Sequence, residues 1–495
     1  MPALAMKRAP LAAPNMLFIN GEWVKPSSDR TIDVIAAATE ELYARVADAS
    51  EQDMNRAVAA AREAFDRGPW PKMSHRERAG YMIRLAEELE KRAPSIAEIW
   101  PNEMGILHAM ATAYSPAAGG FYRMYAAMAD NFSFEEEHVT HSGAKHGLLV
   151  REPVGVVGVI IPWNGAIMII AFKAAPALLA GCTLVIKSPP EAPGHGLLMA
   201  EAVQAAGLPP GVVNVVTAER EASEALVRHP GIDKIAFTGS SATGQRIATI
   251  IGERIARYTL ELGGKSAAIV LDDYDVGKAA TELAARACDM TGQVCAALTR
   301  IIVPRAKQGS MQEALRQAFA KVKVGDPFDP ATQMGPLATR RQRDKVERYI
   351  AQARDSGIKL AAGGNRPRHL DRGFFIEPTV FGDVDNRAPI AQEEVFGPVV
   401  AVISADDEAQ AIDIANDSVF GLNGAVFTND VDAAYRVARG MRTGTVGHNG
   451  HFVDFTIAFG GFKRSGIGRE GGREGLLPYL ETKTVLLQGK PSPRP

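Results

Sequence analysis

Cys295 stands in the run Thr291-Gly292-Gln293-Val294-Cys295-Ala296, where a glycine and small neighbours suit a bend that exposes sulfur and brings backbone amides near it. Those conditions favour the thiolate, the nucleophilic form of the side chain. A lone cysteine is more often a small buried hydrophobe, and Cys182 and Cys288 are read that way. Glu261 lies in Leu260-Glu261-Leu262-Gly263-Gly264-Lys265, at the end of an apolar strand and before two glycines. A loop glutamate is ordinarily solvated. Between two leucines, however, partial desolvation would raise its pKa toward that of a useful general base. A third run, Phe237-Thr238-Gly239-Ser240-Ser241-Ala242-Thr243-Gly244, follows a strand and opens a helix. Gly239 permits a tight turn, Ser240 suits an N-cap, and the free amides of the first helical turn make a site for a phosphate. The run lacks the three-glycine dinucleotide fingerprint, and such a junction is more often only a turn.

The elements that must position these residues are legible as alternating patterns. Short β-rich runs at residues 154–161, 183–186, 212–216 and 234–237 are separated by alanine-rich segments with helical spacing, such as 172–179 and 197–206. That alternation predicts a parallel sheet with helices on both faces. A second series, at 267–271, 299–303, 399–403 and 425–428, is interleaved with helices such as 311–321 and 342–356. Two successive α/β domains follow, as expected for 495 residues, too many for one typical core. Residues 51–129, with three-to-four apolar spacing at 57–65 and 76–92, are expected as helices packed around the sheet. Residues 478–487 alternate like an edge strand, which would complete a sheet in another subunit.

Composition excludes several classes. With 55 basic and 57 acidic residues the net charge is -2, which gives no attraction for a phosphate backbone, so no nucleic-acid partner is expected. Three cysteines are too few and too odd for a disulfide framework and imply a reducing compartment. The first sixteen residues lack the apolar core of a secretory signal and are read as a loose tail. The most apolar stretch, 154–170, is interrupted by Gly155, Gly158, Pro162 and Gly165 and cannot span a bilayer as a helix. A cytoplasmic protein without a membrane span is expected.

Order along the chain carries a further signal. Pro162-Trp163-Asn164, Lys187, Phe237-Thr238-Gly239-Ser240, Glu261-Leu262-Gly263-Gly264-Lys265, Gly292-Gln293-Val294-Cys295, Glu393-Glu394-Val395-Phe396-Gly397-Pro398 and Phe459-Gly460-Gly461-Phe462-Lys463 succeed one another. In that order and spacing the chain resembles the aldehyde dehydrogenase superfamily, of the hydrolytic type, over essentially its whole length. The resemblance implies an α/β fold of two successive Rossmann-like parallel-sheet domains with a small β oligomerisation element. Residues 17–133 and 154–263 would bind the cofactor, 264–463 would form the catalytic domain, and 134–153 with 478–495 would join a homodimer or homotetramer.

The resemblance also implies roles. Cys295 would attack the aldehyde carbon, with the oxyanion held by the Asn164 carboxamide and the Cys295 N–H. After hydride transfer, water activated by Glu261 would hydrolyse the thioester. Relatives that pass the acyl group to coenzyme A usually lack this base. Lys173 and Glu470 match positions of a proton path behind Glu261. For NAD, Lys187 would meet the adenosine ribose, Trp163 and Ser240 would flank the pyrophosphate, and Pro162 and Gly239 would bind the cofactor beside them. Leu262 and Gly263 would also bind the cofactor, with Glu394 and Phe396 holding the nicotinamide ribose and ring. No metal is implied. A protein kept only for binding or structure would have no need of Cys295, Glu261 and Asn164 together.

Two departures from the family pattern bear on specificity. Where many relatives carry a glutamate that accepts from the ribose 2′-hydroxyl, Lys187-Ser188-Pro189-Pro190-Glu191 places Pro190. NAD is favoured because Glu191 would repel a phosphate, with NADP as the alternative. After Asn164 the chain has Gly165 and Ala166 in place of an aromatic and a proline, which predicts a wider substrate tunnel, unless His451 or Phe455 fills the space. Phe172, Phe459, Val294 and Ala296 would give it apolar walls. A bulky hydrophobic aldehyde, aromatic or terpenoid-like, is expected, and an NADP-preferring or semialdehyde-specific dehydrogenase is the alternative. His448 and His451 are read as loop histidines, with substrate contact as the second reading.

Overall fold

In each sheet, alternate residues of the same strand enter different cores, which is why these apolar runs form strands buried on both faces. The computed structural model describes residues 9–492. On strand Val156–Ile160, Val157 and Val159 join one hydrophobic cluster while Val156 and Ile160 join another. On Ser266–Val270, Ala267 and Ile269 separate likewise from Ala268 and Val270. A strand covered on both sides reads as a continuous apolar run and needs helices on each face.

The first sheet has eight strands in the spatial order Gly466–Ile467, Arg257–Glu261, Lys234–Thr238, Val156–Ile160, Thr183–Ser188, Val213–Thr217, Leu17–Ile19 and Glu22–Val24. Its five central strands are parallel and the outer ones antiparallel. The second sheet has seven, in the order Lys359–Ala362, Thr379–Gly382, Val399–Ala405, Leu298–Pro304, Ser266–Val270, Asn423–Phe427 and Thr445–His448, and is parallel except at its first pair. This is the expected α/β arrangement of two successive parallel sheets. After the second sheet the chain returns to the first, where Gly466 pairs with Glu261.

The long helical region resolves into five helices, Glu51–Asp66, His75–Lys91, Ala93–Met104, His108–Tyr114 and Ala117–Asn131. Reciprocal bonds between Ser50 and Asp53 and between Ser74 and Glu77 fix the starts of the first two. The hairpin Thr31–Ile35 with Leu42–Ala47 was not legible, because its alternation is short. Of the expected loose tail, residues 9–16 have neither helix nor strand, and residues 1–8 lie outside the described residues. The terminal strand Leu480–Leu487 pairs within its own chain, antiparallel to His146–Pro153, which also pairs with Glu135–His138. No helix among the described residues is long and apolar enough to cross a membrane.

Candidate active site

Three residues in succession, Met290, Thr291 and Gly292, have φ of 47°, 56° and 69°, a left-handed turn that redirects the chain after helix Val276–Cys288. Two of them are not glycine, so the turn is strained and must be held by its surroundings. Gln293 supplies part of the hold: its Oε1 accepts from Ala338 N at 2.8 Å and its Nε2 donates to Met290 O at 3.0 Å. A Cβ on Gly292 would lie 2.3 Å from the Gly397 carbonyl carbon, so no other residue allows this approach. The bend leaves Cys295 partly exposed, with its own amide and that of Ala296 near enough to the sulfur to favour the thiolate. The expected preference for thiolate does not follow. Burial pushes the thiol up to about 12, and the charges of Glu394 and Glu261 act in the same direction, outweighing the two amides.

Asn164 is tied to the same loop: its Nδ2 donates to Gln293 O at 3.0 Å, which leaves one amide hydrogen free. Its own carbonyl accepts from Trp100 Nε1 at 3.0 Å. Trp100 is buried and meets the ring of His195 edge-on at 5.1 Å, and His195 Nδ1 accepts from Ile167 N at 3.3 Å. The turn into helix Ala166–Ala180 is thus gripped from both sides. Sequence reasoning gave Trp100 and His195 no role and quoted Gln293 only as part of a motif. All three act through backbone contacts that composition and spacing do not encode.

Glu261 ends its strand only 3% exposed, and neither carboxylate oxygen has a partner among the protein atoms. Burial raises its pKa well above the ordinary carboxylate range. The charge of Glu470 adds to that rise, while Lys173 and Arg469 pull the other way. The desolvated carboxyl inferred from its leucine neighbours is therefore present. Lys173 donates from Nζ to Glu470 Oε1, and both are buried. Glu470 is fixed in turn by exchanging two backbone bonds with Phe459, of 2.6 and 2.7 Å. The pair adjoins Glu261 without bonding to it.

The residues assigned to the dinucleotide, Glu394 and Phe396 apart, lie at the C-terminal ends of four adjacent parallel strands of the first sheet. Ser240 caps helix Ser241–Arg254, accepting from Thr243 N at 3.3 Å, and the Thr238 hydroxyl at the same strand end is buried and unpartnered. Gly239 is the turn residue between them, and Leu262 packs into the core beneath the helix. Glu394 Oε1 accepts from Gly264 N at 3.1 Å. A Cβ on Gly263 would lie 2.3 Å from Glu394 Oε2, and one on Gly264 would lie 2.5 Å from Cys295 O. These approaches bring the carboxylate, the nucleophile loop and the end of the first sheet together. Trp163, next to Pro162, meets Phe396 edge-on at 5.5 Å, and Phe396 has φ of 59°. Lys187 is buried on strand Thr183–Ser188 and its amine is pushed down to about 8 by burial, against the opposing pull of Glu191 and Glu219. Glu393 faces elsewhere, accepting from the Tyr349 hydroxyl at 2.6 Å. Unpartnered polar atoms, a helix N-terminus and an acidic clamp fit a nicotinamide dinucleotide.

On the opposite wall Phe172 stacks on Phe455 at 3.8 Å, Phe459 meets Phe455 at 4.7 Å, and Phe121 stands edge-on to Phe172 at 4.6 Å. Val294, Cys295, Ala296 and Phe459 share one apolar cluster with Leu422, Val453 and Phe455. Phe121 and Leu422 were not anticipated. The space at Gly165 stays open, since a Cβ there would touch only Ile169, at 3.6 Å. Neither His451 nor Phe455 fills it. His451 Nε2 is bonded to Ala296 O at 3.1 Å and His448 Nε2 to Thr428 O at 3.0 Å, so both rings are held by backbone.

Two parallel sheets meeting at a thiol and a buried carboxylate frame an oxidoreductase that works on a carbonyl beside a nucleotide. The sequence pattern of the aldehyde dehydrogenase family matches residues 23–485, and the chain belongs to that family. It is 42% identical over 474 residues to the geranial dehydrogenase of Castellaniella defragrans, covering 96% of this chain and 98% of that one. It is 39% identical to the 3-succinoylsemialdehyde-pyridine dehydrogenase of a Pseudomonas species, covering 95% and 98%. Among solved structures, a mutant of aldehyde dehydrogenase C from Pseudomonas syringae, complexed with NAD+ and octanal, superposes with a TM-score of 0.93 at 37% identity, over 99% of both chains. The protein is an enzyme that oxidises aldehydes.

Proposed function

We propose that this enzyme converts a bulky, hydrophobic aldehyde, aromatic or terpenoid-like, to the carboxylic acid with NAD as hydride acceptor. Cys295 attacks the carbonyl carbon. Because burial keeps the thiol protonated, its proton must leave as sulfur attacks, and Glu261 is the adjacent carboxylate. The oxyanion takes its bonds from the free amide hydrogen of Asn164 and the Cys295 N–H, both fixed before reaction. Ser240 and Glu394 would hold the nicotinamide dinucleotide, which would supply the hydride acceptor needed for the Cys295 adduct to become a thioester. Lys173 and Glu470 behind Glu261 carry that first proton away, and the re-ionised carboxylate then takes a proton from the attacking water.

One observation carries the hydrolytic reading: both buried oxygens of Glu261 lack a protein partner, a costly arrangement that a water donating to the carboxylate would relieve. For the substrate, four phenylalanines and an unfilled Gly165 support bulk and hydrophobicity, in keeping with the likeness to a geranial dehydrogenase and to a structure holding octanal. The open outer edges of the three-stranded sheet, among the described residues, support a homodimer or homotetramer, and the composition supports a cytoplasmic protein. Initial rates with benzaldehyde, a long aliphatic aldehyde and succinate semialdehyde, each with NAD+ and NADP+, test the assignment. Higher kcat/KM for the hydrophobic aldehydes with NAD+ is expected. A strong preference for the semialdehyde would overturn the reading of the pocket and favour a specificity nearer the Pseudomonas relative.

A further inference from the structure

Glu191 and Arg341, 150 positions apart, meet with Oε1 and Nη2 at 2.5 Å. They come from opposite halves of the molecule. Glu191 follows strand Thr183–Ser188 of the first sheet, while Arg341 lies in the first turn of helix Arg340–Asp355, which packs against the second. The Glu191 side chain is 19% exposed and that of Arg341 78%. Together with Pro190, Glu219, Thr339 and Arg340 they line a cavity of about 520 Å³. Arg340 is already bound to Glu40, so Arg341 is the guanidinium whose partner is Glu191.

The position matters because of what surrounds Lys187. Its amine feels two acidic groups, Glu191 and Glu219, and Pro190 between Lys187 and Glu191 offers neither charge nor N–H donor. A ribose 2′-hydroxyl beside Lys187 finds a carboxylate able to accept from it. A 2′-phosphate finds that carboxylate repelling it, and finds the planar guanidinium, which would suit its oxygens, already engaged.

We propose that the Glu191–Arg341 pair sets the choice between NAD and NADP: Glu191 repels a 2′-phosphate and withholds the Arg341 guanidinium from it. The inference rests on the reading of Lys187 as the adenosine-ribose residue. Preference is then a property of a bridge across the cleft and not of the residue at position 190. A partly exposed pair is screened by ions, so the discrimination falls as salt rises.

Calorimetric titration of the full-length protein with 5′-AMP, 2′,5′-ADP, NAD+ and NADP+, at low and high salt, tests this without turnover. The unsubstituted protein is expected to bind 5′-AMP and NAD+ more tightly than their 2′-phosphorylated counterparts. Glu191→Gln should tighten 2′,5′-ADP and NADP+ by roughly ten-fold, the scale of one charge-assisted hydrogen bond, with a smaller change for 5′-AMP and NAD+. Adding Arg341→Gln to that variant should remove the gain, and high salt should shrink it. An unchanged ratio of 2′,5′-ADP to 5′-AMP affinity in Glu191→Gln, with both nucleotides bound, would overturn the role of the pair alone. Failure of all four to bind the unsubstituted protein would instead overturn the dinucleotide reading of the cleft, and this inference with it.

Discussion

The two walls of the cleft are built by different means. On the dinucleotide side the contacts are short-range and mostly made by backbone: a capped helix start, the Gly264 amide on Glu394, and glycines at positions where a methyl group would collide with Glu394 or Cys295. On the aldehyde side four rings from three separate parts of the chain, Phe121, Phe172, Phe455 and Phe459, lean on one another, and the space at Gly165 is unfilled. A wall made of backbone tolerates little change, because the contact itself dictates the residue. A wall made of side chains can be resized without disturbing the fold, so chemistry belongs to the first and specificity to the second.

That division can be broken or sharpened by substitution. The largest effect is expected from Asn164→Ala, which removes one oxyanion donor where donors are fixed: kcat should fall by about 10²–10³-fold with little change in dinucleotide affinity. Steady-state rates beside a binding titration check this. A fall of only two- or three-fold would mean that the Asn164 carboxamide does not hold the developing charge. Next is Phe455→Ala, which empties the centre of the aromatic group. It should lower kcat/KM for a hydrophobic aldehyde by roughly ten-fold or more while sparing a small aldehyde. Equal losses for both substrates would show that the rings support the fold and not the choice of substrate. The smallest is Trp100→Phe, which keeps the ring and deletes the bond to the Asn164 carbonyl. A loss near 1 kcal/mol, about five-fold, is expected in kcat and not in KM. Restoration by no variant other than tryptophan, with KM unmoved throughout, would mark a positioning role.

The same contrast explains what could be read without coordinates. Both parallel sheets were legible because strands buried on two faces, such as Val156–Ile160 and Val399–Ala405, are continuous apolar runs between helical patterns. The environment of Glu261 was legible because its strand neighbours are apolar. The protonation of Cys295 was read in the opposite sense, because the burial that raises it, and the charges of Glu394 and Glu261 that add to that rise, come from parts of the chain outside its own run. Phe121 and Trp100 were missed for a related reason: each is one apolar residue among many on a buried helix face, and only packing shows which ones reach the cleft. Arg341 gave no signal at all beyond a basic helix start.

Because its pKa is raised by burial, Glu261 must first be ionised to draw a proton from water. Raising pH through that elevated pKa therefore turns deacylation on, and below it the protonated acid leaves the thioester standing. Rapid-mixing measurement of reduced nicotinamide in the Glu261→Gln variant tests this directly. A burst close to one equivalent per Cys295, followed by slow turnover that has lost the rising pH limb of the unsubstituted enzyme, is the predicted result. Steady turnover at the original rate, with no burst and the pH profile unchanged, would contradict it.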